Sequence, residues 1–332
     1  MIAFSRIRRL LFKVLLPGAL LVFIIVLIVY FTNREVRVAR GVEFNGVEIE
    51  GYTEEEVERL VRHMAPRESI VPLNAQIDYN QELIIPEIFG QEINIEKTVT
   101  RIMEAESGQK VKPVLVEIEP SVTWNDYPAL PAYKGNSARK GVSFMINVAW
   151  GEEYLEDMLA TLDEEGVKAT FFVTGKWGEK NPQELRRLYK KGHELGSHGY
   201  SSEDVMPDLD WKSVEESLSK TNEIIYSLTG RKPQYFTPHM GEYNHMTLEL
   251  VYRHSMKTVL WSLDTVDWQE PGVDQMEQKI RDNVSAGDIM LMHPTAGTAE
   301  LLPRVIPILK EKELQVVPVG ELLSAQPDAL QN

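Results

Sequence analysis

The sequence predicts an α/β protein: a distorted (β/α) barrel over residues 136–325, preceded by a small α+β domain at 41–122 and an N-terminal transmembrane helix. Three observations carry this. Residues 142–175 read as strand, helix, strand, and a unit of that length forms a right-handed crossover in a parallel sheet. Beyond it, strand-length apolar runs alternate with helical patterns to the C-terminus. Residues 14–32 are almost wholly apolar.

The N-terminus comes first in the chain. Arg6, Arg8, Arg9 and Lys13 precede the apolar run, and charge returns only at Arg34 and Glu35. A helix of roughly 20 apolar residues spans the hydrocarbon core. The run ends in Val-Tyr-Phe-Thr, without the small residues a cleavage site needs. Residues 1–33 are therefore expected to be a basic tail and an uncleaved single-pass membrane anchor. The excess of basic residues before the run places the N-terminus in the cytoplasm and the remainder outside. The competing reading is a buried core helix. The net charge is −15 and no cysteine is present. Such a surface repels nucleic acid, and disulfides and Cys-ligated metals are excluded.

Residues 41–122 form the predicted small domain. GVEFNGVEIEGYT alternates apolar and polar residues about Asn45-Gly46, a hairpin turn signal. Thr53-Glu54-Glu55-Glu56 is a capping box, followed by Val57, Leu60, Val61 and Met64 on one helix face. Strands at 75–79, 83–86 and 111–118 and a helix near 95–105 complete it. The glycines, the capping box and IIPEIFGQEINIEKTV resemble the peptidoglycan-binding module of YoaR- and VanW-like wall proteins. A spacer domain without a ligand is the alternative. Residues 123–135, with Pro128, Pro131 and Gly135, read as a linker.

The barrel follows. In residues 142–148 the polar Asn147 stands near the end of a mostly apolar run. Leu155, Met158, Leu159 and Leu162 recur at helical spacing before Gly166. Further strands are predicted at 169–174, 194–198, 235–237, 258–261, 288–292 and 315–319. Helices are predicted at 182–191, 211–228, 246–254, 274–283 and 298–312. In barrels of this kind the working residues stand at the C-terminal ends of the strands. Those positions hold Asn147, Thr174, His198, Thr237-Pro238-His239, Asp264 and His293, which marks a groove without naming a reaction.

The segment VSFMINVAWGEEYLEDMLATLDEEGVKATFFVTG, with GSHGYSSEDV, TPHMG, DTVDWQ and LMH after it, resembles the NodB-homology polysaccharide deacetylases, carbohydrate esterase family four. MINVAWGEEYL is most similar to the YlxY-like subgroup. The resemblance implies hydrolysis of N-acetyl groups on a glycan, peptidoglycan above all. In the family one Asp and two His hold a divalent metal such as zinc, a second Asp is the base, and a His is the acid. Carried over residue by residue, the base falls on Asn147 and the metal-ligand Asp on Val148. His198 is retained, but the second ligand His has become Ser202, and Thr237 stands where an Arg would orient the base. His293 matches the acid and Asp264 its partner, while Trp268 and Leu291 match the walls of the acetyl pocket.

These losses imply a degraded metal centre with no retained metal, and weak or lost hydrolysis. Whether the chain is an enzyme stays open. A working deacetylase would need a rearranged site on His198 and His239, with Asn147 or Ser202 as weak ligands. A glycan-binding or scaffold protein would use a groove lined by Trp150, Tyr200, Pro238, His239 and Trp268. The expected partners are cell-wall glycan and, through the N-terminal helix, the membrane.

Overall fold

The computed structural model describes residues 20–24 and 35–327. Among them no helix is long and apolar enough to cross a membrane. This overturns the membrane localisation and orientation expected above. Of the predicted span at 14–32 only residues 20–24 are described, as helix, which at 1.5 Å per residue covers about 8 Å of a core about 30 Å thick. The rest of that span lies outside the described residues. The chain divides into two compact units, Met1–Ser69 with Gln91–Glu117 and Ile70–Gly90 with Ile118–Asn332.

In the first unit Asn45 and Gly46 both take positive φ, 48° and 82°, as a two-residue hairpin turn requires. They join strands Glu43–Phe44 and Val47–Glu48. Helix Glu54–Glu68 starts on Thr53, whose side chain and that of Glu56 cap each other's backbone amides. Its Val57 and Val61 bury in one cluster with Phe44, Ile49, Val99 and Ile102. The strand expected at 111–118 is two pieces, Lys110–Val111 and Leu115–Ile118. Pro113 stands in the gap, where it has no amide hydrogen for a ladder.

The second unit takes in more than the sequence reading allotted to it. Hairpin Gln76–Asp78/Leu83–Ile85 belongs here, because Ile84 is fully buried in this unit's core and bridges Ala132. Residues 123–135 are likewise no free linker. Trp124 and Ala132 are buried, and Ala132 bridges Val259 on its other side. Pro128 lies in a tight turn closed by the Leu130 amide on the Tyr127 carbonyl, within packed structure.

The sheet of this unit comprises β1 (Gly141–Val148), β2 (Thr170–Val173), β3 (Glu194–Ser197), β4 (Tyr235–Phe236), β5 (Lys257–Thr258), β6 (Leu263–Asp264), β7 (Ile289–Met292) and β8 (Gln315–Val316). The order is β5-β4-β3-β2-β1-β7-β6, with β8 on the start of β1, and every pairing is parallel. The sheet curls into a half-barrel. It does not close, since β5 and β6 are not paired and the single strand expected at 258–261 is replaced by two short ones. Between them the backbone bonds elsewhere: Leu260 N donates to Ala132 O and Ser262 N to Ile289 O.

All eight residues of β1 are buried, as in a strand covered on both faces. Val142, Phe144, Ile146 and Val148 pack with Leu155, Met158, Leu159, Leu301 and Leu302 of the surrounding helices. Met145 points the other way, into the interior cluster with Phe172, Ile289 and Leu291. This alternation with period two puts Asn147 on the interior face and Val148 on the helix face.

Candidate functional site

Two groups of side chains stand at the C-terminal ends of the strands. The first is built on β1, β3 and β4. His198 follows β3 and donates from Nδ1 to the carbonyl of Thr237 at 2.7 Å, which fixes its tautomer. Its ring lies against His239, with centroids 3.7 Å apart and planes at 47°. Pro238 ends the strand and leads into the turn His239–Gly241, in which Met240 takes a left-handed φ of 55°. Burial pushes His239 down to about 4. Burial, and then the neighbouring His239, hold His198 well below the usual imidazole range. Both rings are neutral at neutral pH.

Asn147 is buried beside this level of the sheet. Its Oδ1, the Oγ1 of Thr237 and the Nε2 of His239 are all buried without a hydrogen-bond partner in the protein. Buried polar atoms of this kind are rare, and a water, an ion or a bound ligand is the usual partner of such groups. Val148 is fully buried among the helix-side residues, and Ser202 is exposed. Zinc needs three good N, O or S ligands. Among the described residues no group of three or more His, Cys, Asp or Glu side chains is placed to hold a metal ion.

The second group lies on β6 and β7, and here the sequence assignment needs correcting. Asp264 does not pair with His293. Its Oδ1 accepts the amide of Val266 at 2.8 Å, closing a turn in which Val266 adopts φ 58°. That turn carries the chain round, and Asp267 is the residue delivered to the histidine. Asp267 is 1% exposed. Its Oδ1 lies 2.8 Å from His293 Nδ1, while Oδ2 accepts the His293 amide at 2.6 Å and the Thr298 hydroxyl at 2.5 Å. A carboxylate only accepts, so Nδ1 carries the hydrogen and Nε2 is left for a ligand.

Trp150 stacks on His293 with planes 5° apart and centroids 6.0 Å apart. Gly151 makes that approach possible: its φ is +82°, and a Cβ there would lie 2.1 Å from the carbonyl oxygen of Pro294. Trp150, Tyr154, Trp268 and Met276 line a cavity of about 460 Å³, with the carboxylates of Glu153 and Glu270 at its edge. Trp150 and Trp268 are 44% and 55% exposed. Leu291 lies in the buried interior cluster.

Tyr200, expected in the groove, is held elsewhere. Its hydroxyl donates to Glu179 at 2.8 Å and its ring carries the Lys220 ammonium 3.8 Å from its centroid. Both partners are on helices, Gly175–Lys180 and Trp211–Thr229. The sequence reading also passed over Gly151, although a glycine directly after an aromatic residue at a strand end is a signal for close backbone approach.

Comparison with known proteins decides the ancestry. The polysaccharide deacetylase family model matches residues 134–259. Over 259 residues, 78% of this chain and 81% of the relative, the sequence is 37% identical to the uncharacterized protein YlxY of Bacillus subtilis. The chain belongs to the polysaccharide deacetylase family. A peptidoglycan-N-acetylglucosamine deacetylase of Bacillus cereus is 29% identical over 56% of this chain and 69% of its own length. The crystal structure of BA3943 of Bacillus anthracis, a carbohydrate esterase family four pseudoenzyme, superposes with a TM-score of 0.68 at 30% identity, covering 81% of this chain and 95% of that one. A BA3943 mutant with restored enzymatic activity matches equally well.

Proposed function

We propose that this chain is a deacetylase-fold protein that binds cell-wall glycan, peptidoglycan above all, and has lost the metal-dependent hydrolysis of its family. One observation carries the reading. Where the family needs a base and three metal ligands, this groove offers a carboxamide at Asn147, a buried valine at 148, an exposed Ser202 and a neutral His198 packed at a tilt against His239. A carboxamide cannot take a proton from water, and neither valine nor a solvent-facing hydroxyl makes up a ligand set.

What survives suits recognition. The His293–Asp267 pair presents a fixed imidazole nitrogen, and Trp150 and Trp268 present aromatic faces on which sugar rings can stack. Glu153 and Glu270 add acceptors for hydroxyl groups. That BA3943 is a pseudoenzyme supports the same reading here, as does the action of the Bacillus cereus relative on peptidoglycan. The likeness of the stretches 41–69 and 91–117 to parts of a peptidoglycan-binding module adds a second wall contact to the proposal.

The test is binding of the full chain to N-acetylglucosamine oligomers by calorimetry. Trp268→Ala is expected to weaken binding about tenfold or more, the scale of losing one buried aromatic contact. Unchanged affinity in that variant would remove the groove from the account.

A further inference from the structure

We propose a second binding site at the opposite end of the half-barrel, specific for a singly charged carboxylate on a ligand of amino-acid or dipeptide size. A cavity of about 350 Å³ opens where β4 and β5 begin, lined by Glu87, Trp124, Asn125, Gln234, Ser255 and Lys257 among others. Tyr235 and Lys257 are the first residues of their strands, so this cavity is separate from the groove at the strands' C-terminal ends. It lies within the size range of small-ligand pockets, about 300–1,000 Å³.

Lys257 supplies the cation of this site. Its ammonium sits over the buried ring of Trp124, 4.2 Å from the centroid. Among the described residues no carboxylate lies within ion-pair distance of it. Burial lowers its pKa, with Glu87 acting in the opposite sense, so the cation is held in a place that has removed much of its water. An aromatic face stabilises such a cation but does not neutralise it.

The remaining lining selects the anion. Glu87 is 5% exposed, and its Oε2 accepts the Trp124 amide at 2.8 Å. The Lys257 ammonium, without an ion-pair partner among the described residues, attracts one negative charge, and the nearby Glu87 opposes a second, which disfavours a phosphate dianion. Asn125, Gln234 and Ser255 offer neutral donors and acceptors, the complement of an amide next to the carboxylate. Ser255 is brought to the rim by a left-handed turn at φ 58°. The ligand chemistry is therefore that of an acylated amino acid or a short peptide's C-terminus.

N-acetylalanine, N-acetylalaninamide and acetate, titrated into the full chain by calorimetry, test this. N-acetylalanine should bind saturably, at least about tenfold more tightly than the amide, a difference of about 1.4 kcal/mol. Acetate should bind as much weaker, because it leaves the amide-lined part unused. Lys257→Met, which keeps the apolar stem over Trp124, should abolish the preference for the carboxylate. Asn125→Ala, an exposed rim change with no packing role, should weaken N-acetylalanine and spare acetate. Equal binding of acid and amide, equal binding of acetate, or no saturation by N-acetylalanine would each overturn the proposal. Should Lys257→Met not fold, the three-ligand series and Asn125→Ala decide alone.

Discussion

Replacing Asp267 by alanine is expected to cost about 4 kcal/mol of stability, enough to unfold a marginal domain. The residue is buried, and its two oxygens satisfy the backbone amide and ring of His293 and the hydroxyl of Thr298. Removing it strands those donors inside the protein. Each unsatisfied buried group costs about 1–3 kcal/mol, and hydrogen bonds to a charged acceptor stand at the upper end of the usual range. Asp264→Ala is the matched control, since that carboxylate closes only a local turn and keeps some solvent contact. It should cost about 1 kcal/mol. Urea unfolding midpoints of the two variants check this. A D267A variant no less stable than D264A would show that the pair does not hold β6 and β7 together.

Acid is expected to unfold the second unit between pH 6 and pH 4. His193 is buried: its Nδ1 accepts the Ala169 amide at 3.2 Å, and its Nε2 has no partner. Burial, with Lys168 next in effect, lowers its pKa from 6.5 to about 4. The unfolded chain therefore takes up a proton that the folded chain refuses throughout that interval. Stability is fully present above 6.5, falls as the pH drops, and levels off below about 4. At 1.36 kcal/mol per unit the loss for this residue is on the order of 3 kcal/mol. His239, also lowered to about 4, contributes the same sign and a similar size. His198 adds to it in the same direction. The sum is comparable with the whole stability of a typical domain, about 5–15 kcal/mol. His193→Asn keeps an acceptor for Ala169 while removing the titration. It should flatten the slope of stability against pH by about 1.4 kcal/mol per unit. Stability that is constant from pH 7 to 4.5, or an unchanged slope in the variant, would contradict this.

Much of this was legible in the chain. The alternation of β1 and the helical spacing of Leu155, Met158, Leu159 and Leu162 mark two faces of one core, and the structure places them there. Asn45-Gly46 and the Thr53 box act locally, so local sequence suffices for them. The interior of the groove was harder. DTVDWQ contains two aspartates three residues apart, and only the left-handed turn at Val266 decides which one reaches His293. Tyr200 follows a retained histidine, yet its direction is set by Glu179 and Lys220 from two helices. The strand expected at 258–261 was not seen as two because β5 and β6 are only two residues each, too short to register as separate runs. Residues 123–135 read as a linker because Pro and Gly mark turns whether or not the chain between them is buried.

Metal content measured together with acetate release tests the loss of the metal centre most directly. The full chain, equilibrated with excess zinc and then freed of unbound ion, should retain less than about 0.1 zinc per chain, because ligand number and geometry set affinity. The same preparation should release no acetate from N-acetylglucosamine oligomers above the buffer rate, while still binding them through the groove. One zinc per chain, lost on His198→Ala or His239→Ala and accompanied by acetate release, would contradict the loss of the metal centre and make this protein a working deacetylase.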